Sequence, residues 1–285
     1  MDYKIHENGW TVIVDDFDLR TATNDDILLI GRLLMSNLLV VIRGQKLTPA
    51  EEASIINKFP RTQRIFGPGT KEYNNWVVKG SDDILLEVTG KRNDAGEVGY
   101  AGDEEMPWHC NDTMNSDRRR LVWLYGVSGT VGSRTSWNNT ILAYQDLDDE
   151  TKLKFDRYRI IVSNGMDEFQ ITEESYDGEF EISDTYFPDL VQINAAGKKG
   201  MFWPMCQAYG IKDIDPEESA TITRFLKEHV IQEKYLYHHE WQDGDVVISD
   251  QVMSVHKRWH FDGIANRFVH RGLLDYPEQD YTTGI

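Results

Sequence analysis

The sequence predicts a single α+β domain built on a β-sandwich or barrel. Short apolar segments rich in β-branched residues recur along the 285 residues, and only a few segments have the pattern of an amphipathic helix. No repeat, low-complexity tract or linker divides the chain, and a β-barrel fold often exceeds about 200 residues in one domain. Many short strands with a few helices are typical of that architecture.

The predicted helices begin at residues that are suited to cap a helix. Thr23, Asn24 and Asp25 offer side-chain oxygens at the start of the first helix. The second helix begins at Thr48, with a proline next and an acid three residues after the cap. From these signals and the apolar spacing we predict four helices, over residues 26–35, 49–59, 146–155 and 216–229.

The predicted strands are short and lie between turn residues. Leu38–Ile42 is a continuous apolar run rich in β-branched residues, which indicates a buried strand. A hairpin is expected around Gly197, because short strand-like segments flank it. In chain order the strands are predicted over residues 10–16, 38–42, 83–88, 121–127, 157–163, 191–194, 201–203, 245–249 and 267–274.

Two segments are predicted to lie outside this core. Residues 90–105 are polar and contain four glycines, a composition typical of a loop that closes over a site, so we predict a lid there. Residues 164–187 are acidic and aperiodic, and we predict that they form an insert over the core. Residues 1–285 are therefore expected to form one domain that carries both features.

Composition excludes several classes of partner. The net charge is −18, so the surface would repel phosphate backbones, and no nucleic-acid partner is expected. No apolar run approaches the roughly 20 residues needed to span a bilayer, and the N-terminus has no apolar signal core. Two cysteines, Cys110 and Cys206, do not make a disulfide scaffold. We expect a cytoplasmic protein without a membrane partner.

Three features far apart in sequence suggest a metal site. They are His109 with the residues that follow it, His256 just after a predicted strand, and the pair Arg267 and Arg271 on the last predicted strand. Non-haem iron oxygenases need two neutral imidazoles and a carboxylate on one face of the metal, which leaves positions open for other ligands. A buried arginine is well suited to bind the far carboxylate of a keto acid in a planar, bidentate contact.

The chain also resembles the TauD/TfdA-like (taurine/2,4-D dioxygenase) family of 2-oxoglutarate-dependent oxygenases. The similar motifs occur in the family's order and span about residues 18 to 271. They are Asp18-Leu19-Arg20, Val40 to Gln45 with Leu47-Thr48-Pro49, Pro107-Trp108-His109, Gly132 to Trp137, Trp241 to Asp250, and Arg267-x-x-x-Arg271.

This resemblance implies a double-stranded β-helix, or jelly roll, with flanking helices. It implies that His109 and His256 bind Fe(II), and that Arg271 holds the distal carboxylate of 2-oxoglutarate with the Thr135 hydroxyl as a second contact. Arg267 would line the pocket, meeting the substrate or the other carboxylate of the co-substrate. The implied reaction is oxidation, in most cases hydroxylation, of a small molecule by O₂, with release of succinate and CO₂. Family members are often homo-oligomers.

The first metal-binding motif departs from the family pattern. The family has His-x-Asp, whereas this chain has His109-Cys110-Asn111-Asp112. A local bulge could let Asp112 bind iron; alternatively, Asn111 binds through its amide oxygen, or neither does. A strand places alternate residues on one face, so it groups Asn111 with His109 and points Asp112 away. A charged ligand would hold Fe(II) better, which favours Asp112.

The same departure leaves the reaction open at this point. An iron/2-oxoglutarate halogenase needs an open position on the metal for chloride, which neither Asn111 nor Asp112 would then fill. A relative that binds 2-oxoglutarate but has lost productive iron would be non-catalytic. The resemblance favours the dioxygenase over both alternatives.

Overall fold

The protein is described by a computed structural model that covers residues 1–59, 76–92, 96, 99, 105–111, 120–163, 185–194 and 196–276. Most of the predicted lid (90–105) and most of the predicted insert (164–187) lie outside the described residues, and so does Asp112. The helices and strands below are numbered in chain order within the described part.

The larger sheet has seven described strands, and all of its neighbouring strands are antiparallel except β2 and β3. Its strands, in spatial order, are β1 (Lys4–Ile5), β2 (Thr11–Val14), β3 (Leu39–Ile42), β14 (Val246–Asp250), β6 (Arg120–Ser128), β16 (Phe268–Asp275) and β4 (Leu86–Thr89). The spatial order differs greatly from the chain order, as expected when strands are joined by long crossing connections.

The smaller sheet has four described strands, all antiparallel to their neighbours. In spatial order they are β13 (Leu236–Glu240), β7 (Arg134–Asn138), β15 (His256–Arg258) and β5 (Met106–His109). Two further groups are β12 (Ala208–Ile211) with β8 (Ile160–Ser163) and β9 (Thr185–Tyr186), and the hairpin of β10 (Val191–Ile193) and β11 (Lys199–Met201). The predicted hairpin around Gly197 is confirmed, with a positive φ of 72° at that glycine.

The two main sheets share one hydrophobic core. Val41 and Leu273 of the larger sheet pack in the same cluster as Trp137 and Tyr237 of the smaller sheet. The opposite face of the larger sheet packs against helices in a second cluster, to which Val40 of β3 contributes. Because β3 is buried on both faces, its sequence is a continuous apolar run rather than an alternating one.

Helix boundaries follow the capping residues closely. Thr23 caps the first helix and exchanges hydrogen bonds with Asp26, and Thr48 does the same with Glu51 in the second. The strand predicted from Leu38 begins one residue later, because Leu38 has left-handed backbone with φ 66° and ends the first helix. The helices are α1 (Asn24–Asn37), α2 (Pro49–Ile56), α3 (Thr140–Gln145), α4 (Asp149–Phe155) and α5 (Pro216–His229).

Helices α3 and α4 differ from the sequence prediction of one helix over 146–155. Asn139 caps α3, accepting a hydrogen bond from the Leu142 amide, and Asp148 caps α4 in the same way through Thr151. The predicted helix is therefore confirmed as α4 but begins at Asp149, because Asp148 caps it, whereas α3 lies before the predicted segment and was not predicted. No described helix is long and apolar enough to cross a membrane.

Candidate active site

Two histidines from distant parts of the chain meet in the smaller sheet. His109 ends β5 and His256 begins β15, and the two are direct cross-strand partners. Their ring centroids lie 4.2 Å apart with an interplanar angle of 50°, and both side chains are buried. On the other side of His256, the Trp137 ring of β7 stacks at 5.9 Å and holds the imidazole plane. Strand pairing therefore brings both predicted histidine ligands together.

Both imidazoles are suited to bind a metal because they remain neutral. Burial lowers the pKa of His109 to about 4 and holds the pKa of His256 well below its ordinary value, and the nearby charge of Arg271 adds to both shifts. Nδ1 of His109 lies 2.7 Å from the Pro107 carbonyl oxygen, which can only accept, so Nδ1 carries the proton and Nε2 keeps a lone pair. Nδ1 of His256 is buried and has no hydrogen-bond partner in the described part of the chain.

Cys110 and Asn111, the described residues after His109, do not continue the strand, so the expected strand alternation does not extend to residue 111. The last residue of β5 is His109, and Asn111 lies in a bend. The backbone N–H of Asn111 donates to Gln251 Oε1 at 2.8 Å. Asn111 Oδ1 is buried without a hydrogen-bond partner among the described residues. No cluster of three or more His, Cys, Asp or Glu side chains that could hold a metal occurs in the described ranges, which do not include Asp112.

Arg271 faces the histidines from the larger sheet. Its cross-strand partner Leu124 and its strand neighbours Val269 and Leu273 belong to the core between the sheets, so alternation directs Arg271 to the same side. Its positive charge lowers the pKa of both imidazoles, as expected for a guanidinium close to them. The preceding His270 points the other way, as strand alternation requires, and donates to Glu52 at 2.7 Å.

Arg267 is buried near this core, although it does not lie on the last strand as predicted. It follows a 3-10 turn and precedes β16. Its Nε donates to Ser133 Oγ at 3.2 Å, and its guanidinium lies 5.6 Å from the Trp241 ring centroid. Burial lowers the pKa of Arg267 to about 9, with a further contribution from the charge of Arg258. At neutral pH the group is still a cation.

Thr135 lies on the face of the smaller sheet that carries His256. It is directly opposite Arg258 in the β7–β15 pair, two positions from the pairing of Trp137 with His256. Its Oγ1 accepts a hydrogen bond from Trp241 Nε1 at 2.9 Å, and the hydroxyl keeps its own proton to donate. Since Trp241 also contacts Arg267, one tryptophan positions two of the predicted co-substrate contacts.

Arg258 is a site residue that the sequence reasoning missed. It is 4% exposed and lies two residues after His256 on β15, hence on the same face. Its charge lowers the pKa of His109 and of Arg267, so Arg258 lies between the imidazole pair and Arg267, while Arg271 acts on both imidazoles. The two-residue spacing from His256 was the available signal. The site is strongly positive inside a protein whose net charge is −18.

Two packed, mostly antiparallel sheets that hold a pair of neutral imidazoles beside Arg271 and Arg258 are what a metal-dependent oxygenase with an anionic co-substrate requires. The model of the "Taurine catabolism dioxygenase TauD, TfdA family" matches residues 4–273. The chain therefore belongs to the TauD/TfdA family, as its motifs suggested, and is an α-ketoglutarate-dependent dioxygenase acting on a small molecule.

Several characterised relatives have similar length. Pentalenolactone F synthase of Streptomyces arenae is 23% identical over 258 residues, 84% of each chain. The α-ketoglutarate-dependent 2,4-dichlorophenoxyacetate dioxygenase of Cupriavidus pinatubonensis is 23% identical over 265 residues, 90% of this chain and 92% of that one. The crystal structure of AAD-2 with Mn(II) and N-oxalylglycine superposes with a TM-score of 0.75 at 18% identity, covering 97% and 98% of the chains. That similarity confirms the predicted fold.

Proposed function

We propose that this chain is an Fe(II)/2-oxoglutarate-dependent dioxygenase in which His109 and His256 hold the iron. The observation that carries the proposal is the buried, neutral imidazole pair, 4.2 Å apart, facing Arg271 across the core. Neutral imidazoles have lone pairs available for a divalent metal. Nδ1 of His256 is buried and has no hydrogen-bond partner among the described residues, as is expected where a bound group would supply one. When bound, iron with 2-oxoglutarate activates O₂ as the keto acid is converted to succinate and CO₂.

The arginines and Thr135 are assigned to the co-substrate. Arg271 receives the distal carboxylate of 2-oxoglutarate, because a guanidinium makes two parallel hydrogen bonds with a carboxylate. The Thr135 hydroxyl, held in place by Trp241, donates a further hydrogen bond. Arg267 meets the other carboxylate or the substrate. Burial in the core excludes water, which strengthens each of these charged contacts.

The relatives support the class of reaction without fixing the substrate. Among them, enzymes named for (S)-phenoxypropionate, 2,4-dichlorophenoxyacetate and sulfate esters are each α-ketoglutarate-dependent dioxygenases. We propose hydroxylation of a small molecule as the reaction. A homo-oligomer in the cytoplasm remains part of the proposal, and light scattering of the purified chain tests the oligomeric state.

The test is to add Fe(II) and 2-oxoglutarate without oxygen and record the weak visible charge-transfer band of an iron–keto-acid chelate. We expect the band in the wild type, its loss in His256→Ala, and no change in His260→Ala, which removes an exposed histidine paired with Asp262. O₂ should then yield succinate. No band at any iron concentration, with 2-oxoglutarate still bound, would contradict the proposal and favour the non-catalytic relative. A chloride requirement would favour the halogenase.

A further inference from the structure

We infer that Asn111 is the third protein ligand of the metal through its amide oxygen, so that the centre has two imidazoles and one amide in place of a carboxylate. The inference rests on the proposed function, because it assumes a metal at His109 and His256. Because this ligand set is neutral, binding of the metal should depend on binding of the co-substrate. The following observations support it in turn.

The first observation is the state of the amide oxygen. Asn111 Oδ1 is buried, and no described residue donates a hydrogen bond to it. A buried carbonyl oxygen without a donor is costly, and native proteins nearly always satisfy such atoms. The unpartnered Nδ1 of His256 is a second atom of this kind in the same site. A divalent metal would satisfy both atoms, since amide oxygen and imidazole nitrogen are both metal ligands.

The second observation is how the backbone of Asn111 is held. Its N–H donates to Gln251 Oε1 at 2.8 Å, and Gln251 Nε2 donates in turn to Ser249 Oγ at 3.2 Å. Gln251 is 3% exposed, so its side chain has little freedom. Gln251 opens the loop that connects β14 to His256, and the same loop therefore fixes the backbone of Asn111 and carries the second histidine.

That loop is itself rigid. Asp250 Oδ1 accepts hydrogen bonds from the amides of Val252 and Met253, both at 2.7 Å. At its far end, the amide of Val255, next to His256, donates to Asn138 Oδ1 at 2.8 Å. A loop fixed at both ends places position 111 and His256 in a constant relation. Supporting hydrogen bonds of this kind orient metal ligands and affect metal affinity.

A neutral ligand set makes the metal depend on its co-substrate. With His109, His256 and Asn111 as ligands, no protein ligand offsets the two positive charges of the metal, and Arg271 and Arg258 add positive charge nearby. A 2-oxoglutarate dianion supplies the missing negative charge when it chelates the metal. We therefore expect metal and 2-oxoglutarate to bind cooperatively, each raising the affinity for the other by the same factor.

The experiment is titration of the metal-free full-length protein with Mn(II), followed by electron paramagnetic resonance of the free ion, with and without 2-oxoglutarate. We expect Asn111→Ala to raise the Kd for Mn(II) at least about tenfold and Asn111→Asp to lower it by a similar factor. Asp112→Asn should leave it unchanged. In the wild type, 2-oxoglutarate should lower the Kd for Mn(II) by about tenfold or more, and by much less in Asn111→Asp.

Several results would overturn the inference while leaving the proposed function intact. In the first, Asp112→Asn weakens Mn(II) binding but Asn111→Ala does not. In the second, neither substitution changes the Kd for Mn(II), while His109→Ala abolishes binding. Tighter binding in Asn111→Asp without weaker binding in Asn111→Ala would mean that position 111 lies near the metal but does not bind it. No Mn(II) binding by the wild type would overturn both proposals. Asn111→Asp is nearly isosteric, so it keeps the test valid should Asn111→Ala fold poorly.

Discussion

Replacement of Glu52 by alanine should greatly destabilise the protein, although Glu52 lies on a helix outside the site. The side chain is fully buried; Oε1 accepts from Trp123 Nε1 and Oε2 from His270 Nδ1, both at 2.7 Å. Each donor left unsatisfied costs about 1–3 kcal/mol. Breaking a buried pair by removing one partner costs roughly 3–5 kcal/mol in total, which is a large part of the typical stability of a domain.

Urea unfolding of the purified protein measures the loss as a lower midpoint at an unchanged slope. The matched control is Glu51→Ala, one residue earlier on α2, where the exposed carboxylate serves the capping box with Thr48. We expect a much smaller effect there. If Glu52→Ala lowered the free energy of unfolding by no more than Glu51→Ala does, the buried pair would not stabilise the contact between α2 and β16.

The pH dependence gives a second check on Glu52. Burial raises its pKa above 4.5, and the hydrogen bond from His270 opposes that shift. A carboxyl with a raised folded-state pKa contributes stability that is complete below its unfolded value and is lost as pH rises through the folded value. Glu52→Gln mimics the protonated form, so its stability relative to wild type should increase as pH rises from 4.5. A change in the opposite direction would show that the hydrogen bond from His270 outweighs burial.

Three further predictions concern the site and its surroundings. Arg271→Lys should raise the KM for 2-oxoglutarate about 10- to 100-fold with a smaller change in kcat, because bidentate carboxylate binding is lost; a succinate assay that finds only kcat altered would contradict this. Gln251→Met should raise the Kd for Mn(II) about tenfold and also lower Tm, because the Asn111 amide loses its acceptor; an unchanged Kd would show that Gln251 does not position Asn111 for the metal. Partial burial raises the pKa of the half-buried Cys206 to about 12, so its thiol should react with iodoacetamide at pH 8 much more slowly in the native protein than in urea, and equal labelling rates would contradict the raised pKa.

The positive charges inside this acidic protein affect the two histidines and any anion that binds near them. Arg271 and Arg258 lie near the imidazole pair in the core, with Arg267 next to Arg258, whereas the chain as a whole carries a charge of −18. Burial lowers the pKa of both histidines most; the charge of Arg271 adds to both shifts and that of Arg258 to the shift of His109, so the lone pairs stay available at neutral pH. The same charges attract an anionic co-substrate. In the proposed function, one electrostatic arrangement therefore serves both the metal and the keto acid.

The sequence by itself determined the features that depend on neighbouring residues. Capping boxes at Thr23 and Thr48 defined the starts of α1 and α2, and the apolar run before Gly44 defined a buried strand. Helix α5 was predicted at its observed bounds, Pro216–His229, because proline and acids mark its first turn. The ordered motifs identified the family. These signals are short-range, since caps and periodicity act within one or two turns of chain.

Only the tertiary structure decided how these parts combine. The pairing of His109 with His256, the approach of Arg258 to His109, and the link from Asn111 to Gln251 join residues that are far apart in sequence. The alternation of side chains along a strand predicts which residues share a face. It does not predict which strands become neighbours or where a strand ends. Strand order in a sheet is a non-local property, and it is the strand order that assembles this site.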